Sequence, residues 1–273
     1  MNYLKDYREG EKFVGTYLCK QKQILKTKAG KTYYSLTLQD KTGTADGKIW
    51  ELNNGIANFE PMDYIHCEGM VTSFQGNLQM NISRVRISDE GEYDPADYVP
   101  CTNKDVGEMF SRILKYVASV QNKYLRKILE MYFVENKEFV DAFKKHSAAK
   151  SVHHGFMGGL LEHTLSVTDM CQYFAEHYPM IHRDLLITAA LFHDMGKIQE
   201  ISDFPMNDYT DDGQLLGHIY IGARCMENAA AQIPNFPPKL KNELVHCILA
   251  HHGKMEFGSP KVPAIMEAMA LHM

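Results

Sequence analysis

The sequence predicts a multidomain β + α chain, with an N-terminal five-stranded β-barrel followed by an all-α helical bundle. Three observations predict it. Apolar residues alternate with period two up to about Ser88 and recur at helical spacing beyond about Val106. The charge changes sign along the chain: residues 1–88 carry 12 Lys and Arg against 9 Asp and Glu, and the remainder 17 against 25. Of the 13 histidines, 11 lie from His153 onward. At 273 residues the length suits two domains.

The strands come first. Phe13-Val-Gly-Thr-Tyr-Leu-Cys-Lys20 reads as the first, and Lys31 to Gln39 as the second, with Tyr34, Leu36 and Leu38 on one face. Asp40-Lys-Thr-Gly43 is a turn, after which Gly47 to Leu52 resumes an extended run. Asn53 to Phe59 is expected as a short helix. Tyr64–Phe74 and Leu78–Ile87 give two more strands around a turn at Gln75-Gly76-Asn77. Three strands, a short helix and two strands is the order of an OB-type barrel, a fold that binds oligonucleotides. The first domain is set at residues 1–88.

Residues 89–104, acidic and carrying Pro95 and Pro100, read as a linker. Residues 105–150 read as connecting helices, with Val106, Met109, Phe110, Ile113, Leu114 and Val117 at helical spacing and Leu125, Ile128, Leu129 and Tyr132 after them. Residues 151–273 form the last domain, with helices expected over about 158–177, 184–196, 213–231 and 238–252, and one from near Pro263.

Composition excludes several classes. No window holds the roughly 18 uninterrupted apolar residues of a membrane span. The first residues lack the apolar core of a secretory signal. The six cysteines form no C-x-x-C pair, which argues against a zinc ribbon and fits a reducing compartment, so a cytoplasmic location is expected.

Histidines at helix ends carry the chemistry. Leu191-Phe-His193-Asp194-Met-Gly196-Lys197 places a His-Asp pair where an apolar helix stops at a glycine. Gly158-Gly-Leu-Leu-Glu-His163 puts another histidine in an amphipathic helix, Gly217-His218 opens a third, and His251-His252-Gly253 closes a fourth. Any one such histidine is more often a satisfied polar residue or a favourable charge at a helix C-terminus. Four together match the way helical bundles build metal centres from inward-facing side chains. Imidazole with carboxylate suits Mn²⁺, Fe²⁺, Co²⁺ or Zn²⁺.

This ordered pattern resembles the HD-domain metallophosphohydrolases. With an OB domain in front, the chain is similar to the YhaM family of bacterial 3′–5′ exoribonucleases over nearly its whole length. The resemblance implies that His163, His193, Asp194, His218 and His251, with His252 as a further candidate, hold one or two divalent ions, Mn²⁺ first, with Fe²⁺, Co²⁺, Zn²⁺ or Mg²⁺ as substitutes. The family closes its site with an aspartate a few residues after a segment like Glu267–His272, and this sequence stops at Met273, so a shortened C-terminus or one missing ligand is expected.

A divalent ion at such a site would supply a nucleophile and charge compensation for phosphodiester hydrolysis. Asp194 and Lys197 are the catalytic candidates, the lysine as a neutraliser of a phosphate oxygen or else a solvated residue past a helix end. Lys20, Lys22, Lys26, Lys28 and Lys31, with no acid from 20 to 31, are expected as a loop along a phosphate backbone, and Tyr33 as an exposed stacking residue. Tyr17, Trp50 and Phe74 are further aromatics. His153 and His154 are expected to border the substrate or to be an ordinary surface pair. His66, His146, His177, His182 and His246 are expected to be structural. The expected activity is 3′–5′ exonucleolysis of single-stranded RNA, with single-stranded DNA as a second substrate and nucleoside monophosphates as products. The rivals are a phosphohydrolase of small nucleotides or cyclic dinucleotides, and a non-catalytic nucleic-acid-binding protein. Membrane partners are not expected, and self-association is left open.

Overall fold

In the computed structural model, which describes residues 2–150 and 154–272, the period-two segments become five strands. These are β1 (Lys12–Lys26), β2 (Thr32–Asp40), β3 (Gly43–Ile49), β4 (Tyr64–Phe74) and β5 (Asn77–Ile87). They close in the order β1-β2-β3-β5-β4, with β4 returning to β1. All pairings are antiparallel except β3 with β5. This is the OB topology that the element order predicts. Closure explains the alternation: Leu36, Leu38, Ile49, Ile65, Cys67 and Val85 point inward and are buried. The β4–β5 turn falls at Gln75 and Gly76, both with positive φ, as a tight hairpin requires.

Three expectations are corrected in the barrel. The first strand does not end at Lys20 but runs to Lys26, pairing with β2 down to Lys26↔Thr32, so the lysine segment is a two-stranded hairpin and not a long loop. The third begins at Gly43, four residues earlier than expected, and leaves Trp50 just past its end. The helix over Asn53–Phe59 is not formed. There the Asn53 side chain accepts from Gly55 N–H at 2.8 Å, and Val85 exchanges backbone bonds with Gly55 and Ala57 at 2.9 Å each. An Asx turn and a short pairing onto β5 thus take the donors a helix would need. The segment expected as a linker also packs on the barrel: Tyr64 stacks on Tyr93 at 4.1 Å, and Tyr98 is buried. The chain accordingly divides into two compact units, Met1–Pro100 and Cys101–Met273.

The second unit is helical among its described residues. It contains α1 (Val106–Ser119), α2 (Lys123–Glu130) continuing into a π-turn (Met131–Glu135), α3 (Lys137–Lys145), α4 (Gly159–His177), α5 (Arg183–Phe192), α6 (Lys197–Glu200), α7 (Asp211–Ala231), α8 (Pro238–Ala250) and α9 (Met266–His272). Side-chain caps begin several of them: Asp105, Asn122, Asn136 and Thr210 each accept a first-turn N–H. The expected helix over 184–196 stops at Phe192, because the chain turns at His193–Gly196 before α6. Helix α5 is buried from Leu185 through Phe192 on every face, which makes it the centre of the unit and carries its C-terminal residues inside. No helix of the described residues is long and apolar enough to cross a membrane.

Candidate metal centre

Asp194 is the hub of the helical unit's interior. It leaves the C-terminus of α5 beside His193, and four helices present histidines to it: α4 gives His163, α5 ends at His193, α7 gives His218, and α8 ends at His251 and His252. The two carboxylate oxygens face different partners. Oδ2 lies 3.2 Å from His163 Nε2 and 3.4 Å from His193 Nε2. Oδ1 lies 3.5 Å from both His218 Nε2 and His251 Nε2. Two groups with metal-ligand spacing result, His163–His193–Asp194 and His218–His251–His252, each with donor atoms within 4.8 Å of one another.

The backbone sets which ring nitrogen faces inward. Nδ1 of His193 lies 2.7 Å from Ala190 O, that of His251 2.7 Å from Ile248 O, and that of His252 2.9 Å from Phe257 O. His218 Nδ1 lies 2.8 Å from Glu200 Oε1. Carbonyl and carboxylate oxygens only accept, so in the neutral ring Nδ1 carries the proton and Nε2 presents a lone pair. Asp194 Oδ1, His218 Nε2 and His251 Nε2 are then three buried acceptors without a hydrogen-bond partner. Each orphan of this kind costs about 1–3 kcal/mol. With Nδ1 protonated in each ring, none of the three has a proton to offer the others, and a bound cation would satisfy all three. The nitrogen-and-oxygen donor set fits Mn²⁺, Fe²⁺, Co²⁺ or Zn²⁺ better than the all-oxygen shells of Ca²⁺.

Electrostatics agree with the geometry. Burial opposes ionisation of Asp194, but the positive charge that His193 and then Lys197 bring, with the bond from His163, holds the carboxyl well below its usual range; a bound ion would supply that charge when the rings are neutral. Burial also pushes His251 and His252 down, toward the neutral, ligating form. Lys197 does not extend into open space, as a phosphate-neutralising residue would. Its Nζ sits 3.0 Å from Asp194 Oδ2 and donates to Ala148 O at 2.7 Å, so the amine is engaged by the carboxylate it helps ionise.

One residue was not singled out in the sequence, and one expected helix start is corrected: Gly217 lies inside α7 and does not open it. Glu200, buried and six residues past Asp194, accepts from His218; burial raises its pKa, but its bonds to His218 prevail and hold it below the usual range. Gly217, at φ 72° and ψ 153°, interrupts α7 immediately before His218. A glycine directly ahead of a candidate ligand was the available signal for such a kink.

His154 lies beside the centre, its ring 5.3 Å from that of His163, while His153 lies outside the described residues. The five histidines expected to be structural have local partners. His146 contacts Ser147 O and Ile201 O, His182 caps α5, His177 stacks on Tyr173, His66 meets Thr16, and His246 accepts from Ala264 N–H.

In the barrel unit the structure separates the other candidates. Cross-strand partners share a face. Leu25 pairs with Tyr33 and Gln23 with Ser35, whereas Lys22 pairs with Leu36 and Lys26 with Thr32 on the opposite face. Lys22 is tied into the barrel, its Nζ donating to Phe59 O and lying 4.4 Å from the Phe59 ring centre. Tyr33 stacks on Trp50 at 4.7 Å, and Trp50 donates to Asn81 at 3.0 Å. Lys20 sits at a β-bulge, Lys28 in the hairpin turn, and Lys31 3.3 Å from Glu51. Tyr17 is buried, whereas Phe74 is exposed.

An HD domain family model matches residues 160–270. The 3′–5′ exoribonuclease YhaM of Geobacillus sp. is 32% identical over 245 residues, covering 89% of this chain and 74% of that protein. The 3′–5′ exoribonuclease YhaM of Listeria innocua is 32% identical over 278 residues, covering 98% and 85%. Among solved structures, the second OB-fold domain of replication protein A from Methanococcus maripaludis is 20% identical with a TM-score of 0.27, covering 33% of this chain and 98% of that one.

Proposed function

Because this chain belongs to the YhaM family of 3′–5′ exoribonucleases, we propose that it shortens single-stranded RNA from the 3′ end by metal-dependent hydrolysis at the Asp194 centre. The observation that carries the reading is the carboxylate of Asp194, whose two oxygens each face a separate set of imidazole nitrogens. His163, His193 and Asp194 would hold one ion; His218, His251, His252 and the other oxygen of Asp194 would hold a second. Mn²⁺ is the ion proposed, and the mixed donor set suits it as it suits Fe²⁺, Co²⁺ or Zn²⁺. When bound, such ions supply a nucleophile at neutral pH and compensate charge on the phosphodiester.

The chain's own residues do the rest. Asp194 stays ionised and unites the two histidine sets. Lys197, anchored on Ala148 O, holds that carboxylate in place. Two backbone carbonyls and Glu200 keep Nε2 of His193, His251 and His218 turned toward Asp194, and Phe257 O fixes the ring of His252 beside His218 and His251. His154, next to His163, borders the bound 3′ end. The barrel captures the strand, with Tyr33 and Trp50 as a stacking surface and Lys28 and Lys31 at its rim for phosphates. Lys22 is left out of this surface. The six free cysteines fit work in the reducing cytoplasm. A small-nucleotide substrate would leave the strand-binding barrel without a task.

The test is cleavage of 5′-labelled single-stranded RNA in Mn²⁺. A ladder shortening from the 3′ end, lost in EDTA, supports the proposal. Internal cuts, or a ladder that survives EDTA, contradict it.

A further inference from the structure

The histidines whose Nδ1 partners are given above differ in one respect. His193, His251 and His252 lean on neutral backbone carbonyls, whereas His218 leans on a carboxylate. Glu200 Oε1 accepts two bonds at once, from His218 Nδ1–H at 2.8 Å and from the His218 backbone N–H at 2.9 Å. The second bond exists because Gly217 breaks α7: its φ of 72° removes the helical acceptor that His218 N–H would otherwise have. His218 therefore begins a new helical segment, and Glu200 caps it.

Glu200 is itself held in place. Its N–H donates to Gly196 O at 3.0 Å, and its carbonyl accepts from Thr210 N–H at 2.9 Å. Thr210 Oγ1 caps the start of α7 through Gly213 N–H and also donates to Gln199 O at 2.6 Å. The short α6 thus joins the Asp194 turn to the kink of α7, and its last residue reaches back to the ring on Asp194 Oδ1. A carboxylate on the far nitrogen of a ligating imidazole fixes the tautomer and makes the inner nitrogen a stronger donor.

We infer that Glu200 is a positioning residue of the metal centre, orienting His218 and strengthening its Nε2 as a ligand. This rests on the metal reading above. The competing role is a helix cap alone, and charge separates the two. Glu200→Gln keeps an oxygen acceptor for both N–H groups but removes the negative charge, whereas Glu200→Ala removes both.

The experiment is calorimetric titration of Mn²⁺ into the full chain for the wild type and both variants, with thermal unfolding in EDTA as a fold control and the visible spectrum of the Co²⁺-loaded protein as a second readout. Loss of such a partner weakens metal binding by about 10–100-fold. Glu200→Ala is expected in that range. Glu200→Gln is expected to fall between it and the wild type, to unfold in EDTA as the wild type does, and to alter the Co²⁺ spectrum. Wild-type Mn²⁺ affinity in Glu200→Gln, with an unchanged spectrum, overturns the inference while leaving the metal centre standing. A wild-type chain that takes up no Mn²⁺ overturns both.

Discussion

A carboxylate buried among histidines is costly unless something shares its charge. Asp194 has the Lys197 amine 3.0 Å from Oδ2, and the four imidazole nitrogens within 3.5 Å would join it through a bound cation. Close backbone approach is part of that arrangement. A Cβ on Gly196 would meet His218 O at 2.1 Å, so the turn after Asp194 can lie against α7 only with glycine there. Gly196→Ala is expected to push His218 away and to destabilise the helical unit by roughly 1–3 kcal/mol, as overpacking does. Chemical unfolding checks this, and an unchanged midpoint contradicts it.

His246 shows the same balance away from the centre. Burial, and then the charge of Lys261, lower its pKa, and its Nε2 accepts from Ala264 N–H at 2.9 Å. The sign follows from linkage. The unfolded chain takes up the proton at about pH 6.5, before the folded one, so the neutral ring's contribution is full above that pH and is lost as pH falls below it. His246→Gln is expected to flatten the decline of unfolding midpoint between about pH 7.5 and 5.5, measured in EDTA. A slope equal to the wild type's contradicts this.

At the scale of elements, faces matter more than composition. The β1–β2 hairpin looks uniformly basic in sequence, yet pairing puts Lys22 beneath the barrel and Tyr33 with Trp50 on the other face. Base–aromatic stacking is worth about 1–3 kcal/mol per base. Trp50→Ala is therefore expected to weaken binding of a single-stranded oligoribonucleotide by roughly 10-fold or more. Lys22→Ala should instead lower barrel stability with little effect on affinity. Filter binding and thermal unfolding separate the two, and the reverse pattern contradicts the assignment.

The same elements show what could be read beforehand. β2, β4 and most of β5 were legible because each alternates buried and exposed side chains along a closed barrel. The second half of β1 was not, since Gln21 to Lys26, though paired with β2, is exposed except for the half-buried Lys22 and so shows no buried face. Asn53–Phe59 misled because its pairing partner, Val85, is remote in sequence. α3, nine residues with Phe143 as its one buried side chain, was too short to stand out from the π-turn before it. His163, His193, Asp194, His218 and His251 announced themselves through helix ends and glycines. Glu200 did not, because its importance depends on a kink formed 17 residues later.

For the molecule as a whole, charge divides within the barrel unit: residues 1–88 carry 12 Lys and Arg against 9 Asp and Glu, which suits a polyanion, while residues 89–100 packed on them add five acids and no base. The helical unit would hold its cations at one buried point. The most direct test of that point is the rate of 3′ shortening of 5′-labelled RNA over a Mn²⁺ titration, wild type against Asp194→Asn. The substitution keeps the shape and removes the charge shared by both histidine sets, so cleavage is expected to fall by at least about 10³-fold at every Mn²⁺ concentration. Cleavage at wild-type rates by Asp194→Asn would contradict a centre built on this carboxylate.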